Sequence, residues 1–260
     1  MLQYQSYIIC TTPRSGSNLL CDLLSSCHKM GRPAEFLNVK SFLVPFSNKH
    51  SLLRDDSSID MSSYIALVAR KFSTQNSVFG IKVLFDQFQP FFKVNSFKQN
   101  LQNSHFIWLT RKDVVAQAVS MYIADETNEW TSQDEIRNRE QEKTSRRKQV
   151  KFDVDKISRF VDKLAYENAN WHTFFSVNNI EYKQVFYEDI LYDTNNTCHR
   201  ICNFCDVQVD HVFSLSSPKY KRQGDNLNDN LSREFRSKSS LSIMNEFTDS
   251  KIELQGISFS

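Results

Sequence analysis

The sequence predicts a single α/β domain in which a central, mostly parallel β-sheet is flanked by helices. Three observations lead to this prediction. Short apolar runs alternate with amphipathic segments, and the 260 residues are enough for one large domain with a sizeable core. The composition is that of an ordinary globular protein, with 40% hydrophobic and 24% charged residues. The small number of glycines and prolines, five of each, excludes collagen-like and low-complexity proteins.

Four apolar runs are the predicted strands. The first comprises residues 7–11 (YIICT), and the others lie in SVFGIKVLF, HFIWLT and IEYKQVFYEDI. Helical periodicity follows the first run in LLCDLLSSC, and a helix is expected to begin near Asp193 after the last run. Strands that alternate with helices predict a parallel sheet that is covered on both faces.

A long amphipathic helix is predicted within DKISRFVDKLAYENANWHTFF, and it should pack on the sheet. Its face has the three- and four-residue spacing of Ile157, Phe160, Val161, Leu164, Asn168, Trp171, Phe174 and Phe175. After Arg236, the serine-rich SKSSLS and the remaining tail show no clear element. We therefore assign residues 1–236 to the domain and residues 237–260 to a C-terminal extension.

Residues 125–153 form a polar stretch that is too long for a routine connection in a compact domain. The sequence leaves two interpretations open, a lid anchored by Trp130 or a surface insertion. The stretch holds a basic cluster, Arg146, Arg147, Lys148 and Lys151. Acidic residues surround this cluster and no aromatic residues interleave it, so we expect a solvated face rather than a nucleic-acid or lipid surface.

The overall charge and the terminal segments predict no nucleic-acid partner and no membrane span. Lysine and arginine number 32 against 30 acidic residues, a formal charge of +2. No apolar run approaches the ~18 residues that a spanning helix needs. The first residues also lack the basic and apolar regions of a secretory signal. The expected location is therefore the cytoplasm.

The six cysteines are expected to be free thiols, because a domain of this size does not depend on disulfides. Cys198, Cys202, Cys205 and His199 suggest zinc, but the spacing of further ligands is wrong for a finger or ribbon. The segment NTCHRICNFCDV has helical periodicity, so we predict a buried helix there. We assign no metal role to His28, His105 or His172.

The loop TPRSGSN lies between the first strand and its helix, where free backbone N–H groups can bind an anion. Arg14 can add a charged bidentate contact, and Gly16 allows the backbone to approach closely. The candidate residues are Thr12, Pro13, Arg14, Ser15, Gly16, Ser17 and Asn18. No lysine follows Gly16 as in a Walker A motif, which disfavours an ordinary ATPase or GTPase.

Further motifs follow this loop in order: GRPAEF at residues 31–36, GIK at 80–82, RKDVVAQAVS at 111–120, YEDI at 187–190 and RQGD at 222–225. Together with TPRSGSN they resemble the motifs of sulfotransferases that use 3′-phosphoadenosine 5′-phosphosulfate (PAPS). The resemblance is greatest to the bacterial group that sulfates trehalose and nodulation factors. It covers roughly residues 4–236, and the order of the motifs makes it far more specific than any one of them.

The resemblance implies a P-loop-like sulfotransferase fold and transfer of a sulfuryl group from PAPS to a hydroxyl of a carbohydrate or glycolipid. The product would be adenosine 3′,5′-bisphosphate (PAP), no metal would be required, and a homodimer remains open. Glu35 would be the general base, with Lys82 and Arg14 stabilising charge on the leaving group. Arg111 and Ser120 would bind the 3′-phosphate, and Arg222 and Gln223 would close over the nucleotide.

The sequence departs from the family pattern at two positions, and two alternative functions remain open. Asn18 stands where the family usually has a serine or threonine hydroxyl, which leaves a noncatalytic PAP-binding module open. Lys112 replaces a proline after Arg111, a change that we expect to be minor. The other alternative is a nucleotide or sugar kinase-like phosphotransferase, to which the missing Walker lysine is the main objection.

Three charged residues could have either a functional or a structural role. Lys82 interrupts an apolar strand, so its ammonium must face either a cofactor anion or a carboxylate of the protein. Glu188 and Asp189 could suggest a glycosidase pair, but consecutive residues at a strand end point to opposite sides. We therefore expect a structural role for both carboxylates.

Overall fold

A parallel β-sheet forms the centre of the protein in a computed structural model. The structure describes residues 4–54, 58–92, 103–130, 147, 149–215 and 226–249, with side chains to residue 239. Within these residues the strands are β1 (Gln5–Thr11), β2 (Val78–Leu84), β3 (His105–Thr110) and β4 (Tyr182–Phe186). Their order is β2-β1-β3-β4, and every neighbouring pair is parallel. The predicted α/β class and all four predicted strands are confirmed.

Helices connect the strands and cover both faces of the sheet. They are α1 (Ser17–Ser26), α2 (Val44–Lys49), α3 (Met61–Phe72), α4 (Phe85–Phe92), α5 (Val114–Thr127), α6 (Val154–Val177), α7 (Tyr187–Tyr192), α8 (Thr194–Phe204) and α9 (Asn226–Asp249). A π-helical turn, Val39–Leu43, leads into α2. None of the helices in the described ranges has the length and apolar character required to cross a lipid bilayer.

The two faces of the sheet carry separate cores because neighbouring residues of a strand point to opposite sides. Ile9 packs in the core on one face, with residues of α1 and α8. Ile8 packs in the core on the other face, with residues of α3 and with Trp171 of α6. Since both faces of β1 are covered, its carboxyl end is fixed where the loop after it begins.

The helix α6 carries the predicted apolar face. Ile157, Leu164, Trp171 and Phe175 are buried, and the Trp171 indole donates a hydrogen bond to the Thr11 carbonyl oxygen at 3.0 Å. This contact joins the helix to the carboxyl end of β1.

The helix α8 confirms the helical prediction for the cysteine-rich segment. Asp193 accepts a hydrogen bond from the Asn196 backbone N–H at 3.1 Å, which caps the helix start where it was predicted. All six cysteines of the chain are free and buried. Their position in the core explains their spacing without a ligand.

Two expectations from the sequence differ from the structure. The serine-rich SKSSLS lies inside α9, because Leu231 and Phe235 bury that helix against α5 and α6. Arg147 is not part of a solvated face: its guanidinium lies 3.9 Å from the buried Glu129 carboxylate. Lys151 is exposed, as predicted. Residues 131–146 and 148, including Arg146 and Lys148 of the basic cluster, lie outside the described residues, so both interpretations of the polar stretch stay predictions.

Candidate active site

The loop TPRSGSN begins at the end of β1 and leads into α1. Gly16 is the N-cap residue and adopts the left-handed conformation, with φ of 83°. A Cβ atom at Gly16 would lie 2.3 Å from Cδ2 of Tyr187. Glycine is therefore required here both by the backbone conformation and by the close approach of the ring. Since Gly16 contributes no side-chain cap to α1, the N–H groups of its first turn remain available to an anion.

Hydrogen bonds within the protein fix the first half of the loop. Thr12 and Ser15 are fully buried, and Ser15 shares a hydrogen bond with the Thr11 hydroxyl. Gln117 of α5 donates to the Thr12 hydroxyl at 2.9 Å and to the Pro13 carbonyl at 2.6 Å. Thr12 and Ser15 therefore shape the loop. Ser17 is half-buried and is the first residue of α1. Gln117 was not predicted as a site residue, although it lies in the RKDVVAQAVS motif.

Arg14 connects three parts of the site. Its Nε donates to the Ser120 hydroxyl at 2.9 Å, and its Nη1 donates to the Trp130 carbonyl oxygen at 2.6 Å. Arg14 and Ser120 were predicted to bind the same cofactor, and the fold brings them together although 106 positions separate them. The pair presents a guanidinium and a hydroxyl beside the start of α1.

Arg111 lies at the end of β3 with its Nε buried and without a hydrogen-bond partner. The Glu188 carboxylate is 3.8 Å from this Nε, and the guanidinium lies 5.0 Å from the centre of the Tyr187 ring. A buried donor that lacks a close acceptor is well suited to a bound anion. The arrangement fits the phosphate role expected for Arg111.

Glu188 and Asp189 have the structural role that was predicted, although they begin the short helix α7 rather than ending a strand. Glu188 accepts hydrogen bonds from the backbone N–H groups of Lys112, at 3.0 Å, and Asp113, at 3.4 Å. Asp189 forms an ion pair with the Lys112 ammonium at 2.6 Å. The two carboxylates thus fix the chain between β3 and α5, where Arg111 is located.

Glu35 and Lys82 form an ion pair at the carboxyl edge of the sheet. The Lys82 Nζ lies 2.7 Å from Glu35 Oε1, and only 5% of the lysine side chain is exposed. Lys82 also donates to the Asn18 side-chain oxygen at the start of α1. The buried lysine therefore faces a carboxylate of the protein, and Asn18 links this pair to the TPRSGSN loop.

Two amides hold the second oxygen of Glu35. Asn38 donates to Oε2 at 3.2 Å and Gln87 at 3.3 Å. Burial raises the pKa of Glu35, but the Lys82 ammonium and these hydrogen bonds lower it by more, so the net pKa lies below the ordinary value. Glu35 is therefore ionised at neutral pH. Neither amide was predicted from the sequence.

The backbone positions Glu35 against β2. The Lys82 N–H donates to the Ala34 carbonyl oxygen at 3.0 Å, which fixes the GRPAEF segment beside the strand. Gly31 has φ of 69°, and a Cβ atom there would lie 2.9 Å from the Val78 carbonyl oxygen. These contacts explain why GRPAEF and GIK, distant in sequence, act as one structural unit.

The described site thus combines an ionised carboxylate, a buried ammonium and, at the start of α1, a loop whose geometry is suited to an anion, all at one edge of the sheet. Arg222 and Gln223 lie outside the described residues, so their predicted contact with the nucleotide is untested. Among the residues that the structure describes, no cluster of His, Cys, Asp and Glu could hold a metal ion.

Comparisons with known proteins found one family model and several solved structures that are similar to the chain. The family model described as "Stf0 sulphotransferase" matches residues 6–238. Solved structures that resemble the chain include a sulfotransferase from Alicyclobacillus acidocaldarius, at 16% identity and a TM-score of 0.47 over 94% of this chain and 96% of that one. A sulfotransferase from Mycobacterium avium matches at 13% identity and a TM-score of 0.44, over 98% and 79% of the two chains. The search of curated proteins gave no match.

Proposed function

The chain belongs to the Stf0 sulphotransferase family, and we propose that it transfers a sulfuryl group from PAPS to a hydroxyl of a carbohydrate or glycolipid, with Glu35 as general base. As a member of this family it is a PAPS-dependent sulfotransferase. This membership decides against the kinase alternative. The observation that carries the proposal is the ionised, half-buried Glu35 beside the buried Lys82, whose ammonium also contacts Asn18 of the TPRSGSN loop.

Glu35 is suited to take the proton of an acceptor hydroxyl. In the proposed reaction the hydroxyl oxygen attacks sulfur in line, the bond from sulfur to the bridging phosphate oxygen breaks, and the hydroxyl proton moves to a Glu35 oxygen. The amides of Asn38 and Gln87 fix the carboxylate, so that its orientation does not have to be established during the reaction.

The cationic groups at the edge of the sheet are suited to the charges of the sulfuryl donor. PAPS supplies an activated sulfuryl group with PAP as leaving group. Lys82, Arg14 and the N–H groups at the start of α1 would stabilise the negative charge on the leaving phosphate. Arg111 has a buried Nε without a hydrogen-bond partner, and Ser120 lies beside Arg14, so both fit the 3′-phosphate.

The proposal is tested with radiolabelled PAPS and a panel of acceptors that contains trehalose, other sugars, glycolipids and phenols. We expect label transfer to a sugar or glycolipid. In parallel, PAP should raise the melting temperature far more than ATP at equal concentration, because only PAP has the 3′-phosphate. Transfer to phenols alone would contradict the carbohydrate proposal, and equal melting shifts with PAP and ATP would contradict the assigned nucleotide contacts.

A further inference from the structure

Three buried side-chain oxygens without hydrogen-bond partners lie on α4 and α6: Gln87 Oε1, Glu167 Oε2 and Asn168 Oδ1. An unpaired buried oxygen destabilises a folded protein, because it has lost its hydrogen bonds to water. Buried polar groups are nearly always paired, so each exception requires an explanation. The mechanism above uses the amide nitrogen of Gln87 and leaves all three oxygens without a role.

Both helices bring these residues to the carboxyl edge of the sheet. The helix α4 follows β2 directly, so Gln87 lies in its first turn at that edge. On α6, Trp171 contacts the end of β1, whereas Phe175 stacks on Tyr182 at the start of β4, with ring centres 4.3 Å apart. The helix therefore runs from the carboxyl edge towards the opposite edge, and Glu167 and Asn168 lie one turn before Trp171, at the carboxyl edge.

Aromatic contacts place the two helices side by side. The Trp171 ring lies 5.1 Å from that of Phe85 and 5.5 Å from that of Phe88, measured between centres. Gln87 lies between these two phenylalanines in sequence and reaches Glu35 with its amide nitrogen. The negative charge of Asp86, which precedes Gln87 on α4, raises the pKa of Glu167 on α6. The two helices are therefore close at this edge, and the Gln87 amide contacts the proposed base.

The charges in this region are predominantly negative. Glu167 is 8% exposed, and its Oε1 lies 3.8 Å from the Lys163 ammonium, beyond hydrogen-bond distance. Burial raises the pKa of Glu167, Lys163 lowers it, and the negative charge of Asp86 on α4 raises it again, with a net increase. A bound group that donates hydrogen bonds would be favoured here, and an anion would be repelled.

We infer that Gln87, Glu167 and Asn168 form an acceptor subsite, which binds hydrogen-bond donors of the acceptor molecule while its reacting hydroxyl meets Glu35. The inference rests on the proposed function and states which acceptor molecules the enzyme selects. The subsite accepts neutral or amine-bearing hydroxyl compounds and rejects those that carry a carboxylate or phosphate. Its unpaired oxygens are retained because the acceptor supplies their partners.

The test measures sulfation of glucose, glucosamine and glucuronic acid by the wild-type chain and by Glu167→Gln, Glu167→Met and Asn168→Leu. The matched control is Asp162→Asn, an exposed carboxylate on the same helix. We expect the apolar variants to raise KM for glucose by about tenfold or more, the effect of one lost hydrogen bond to a buried group, with little change in kcat. Glu167→Gln should lower the ratio of kcat/KM for glucosamine to kcat/KM for glucuronic acid, also by about tenfold.

A merely structural role for these residues predicts a different result. If the oxygens bind no acceptor, the variants change only the melting temperature and leave the acceptor KM and the charge preference of the folded enzyme unchanged, which would overturn the inference. An unchanged melting shift with PAP shows that each variant is folded. Wild-type enzyme that binds PAP but sulfates neither a sugar nor a glycolipid would contradict the proposed function, whereas sulfation with equal preference in wild type and Glu167→Gln would contradict the subsite alone.

Discussion

Glu35 is a carboxylate whose two oxygens are both occupied, one by an ammonium and the other by two amides. Replacement by glutamine preserves the shape of the side chain and removes its ability to take a proton. We expect Glu35→Gln to lower kcat by roughly 10²- to 10⁴-fold, the usual contribution of a positioned general base. The dissociation constant for PAP, measured by calorimetry, should remain near the wild-type value.

The exposed Glu181 provides a matched control for this substitution. Glu181→Gln should leave both kcat and PAP binding unchanged. Turnover near the wild-type rate in Glu35→Gln, measured with a confirmed acceptor, would remove Glu35 from the mechanism.

The Lys82 ammonium opposes the effect of burial on Glu35 and lowers the pKa of this carboxyl group. The folded-state pKa of Glu35 lies below its ordinary value of 4.5, so the stability that the ionised group contributes is present above that value and is lost as the pH falls through the lowered pKa. In Lys82→Met, burial acts on Glu35 without the ammonium and raises its pKa. We expect the acid limb of the kcat/KM profile to move to higher pH, alongside a lower maximum rate.

The control for this shift is Lys183→Met, on the edge strand β4. Its acid limb should coincide with that of the wild type. An acid limb that stays in place in Lys82→Met would show that the limb belongs to a group other than Glu35.

The sequence predicted some of these residues and missed others for a physical reason. Glu35 and Lys82 stand in short motifs, and an ammonium within an apolar strand requires an anionic partner. Asn38, Gln87 and Glu167 are ordinary polar residues in their local sequence. Their roles depend on which helices meet at the edge of the sheet, and no local pattern carries that information.

At the scale of elements, the start of α1 depends on the contact between Gly16 and α7. Alanine at Gly16 would meet the Tyr187 ring at 2.3 Å and would keep a backbone φ of 83°. The left-handed conformation alone costs about 1–2 kcal/mol for a residue with a Cβ, and the clash adds to it. We expect Gly16→Ala to lower the free energy of unfolding by at least this amount and to weaken PAP binding, measured by denaturant titration and calorimetry.

A double-mutant cycle with Tyr187→Ala separates the two causes. Removal of the ring relieves the clash but not the backbone strain, so the second substitution should recover only part of the lost stability. Strict additivity of the two substitutions would show that the ring does not limit the residue at position 16.

The strands were easier to predict than the last helix. The buried strands β1 to β3 are nearly continuous apolar runs bounded by polar segments. The helix α9 contains a serine-rich stretch of low helix propensity, and it buries Leu231 and Phe235 against α5 and α6. Tertiary packing decides its structure, so the sequence pattern was a poor guide.

At the scale of the whole molecule, the site depends on two cores that lie on opposite faces of one sheet. The TPRSGSN loop follows β1, whose two faces belong to different cores. Glu35 is attached to β2 through the Ala34 carbonyl, and Arg111 ends β3. Because all three strands are parallel and in register, the groups that they carry are fixed relative to one another as long as both cores remain intact.

The buried cysteines provide a probe of this coupling. Cys21, Cys27, Cys198, Cys202 and Cys205 share one core, and Cys10 lies in the other. Burial raises the pKa of Cys10, whereas a hydrogen bond from Cys202 lowers the pKa of Cys27 despite burial. Thiolates are the reactive form. We therefore expect a thiol reagent to label Cys27 first and Cys10 only when the protein unfolds.

Labelling of Cys10 should then depend on the nucleotide, because PAP is proposed to bind only the folded chain. At a PAP concentration about 100 times its dissociation constant, the folded state gains about 2.7 kcal/mol, so labelling through the unfolded state slows by roughly 100-fold. Mass spectrometry of labelled peptides measures both rates, and ATP at the same multiple of the PAP dissociation constant is the control. Rapid labelling of Cys10 that is indifferent to PAP would mean that its core opens without releasing the nucleotide, and the site would then not require both cores to be intact.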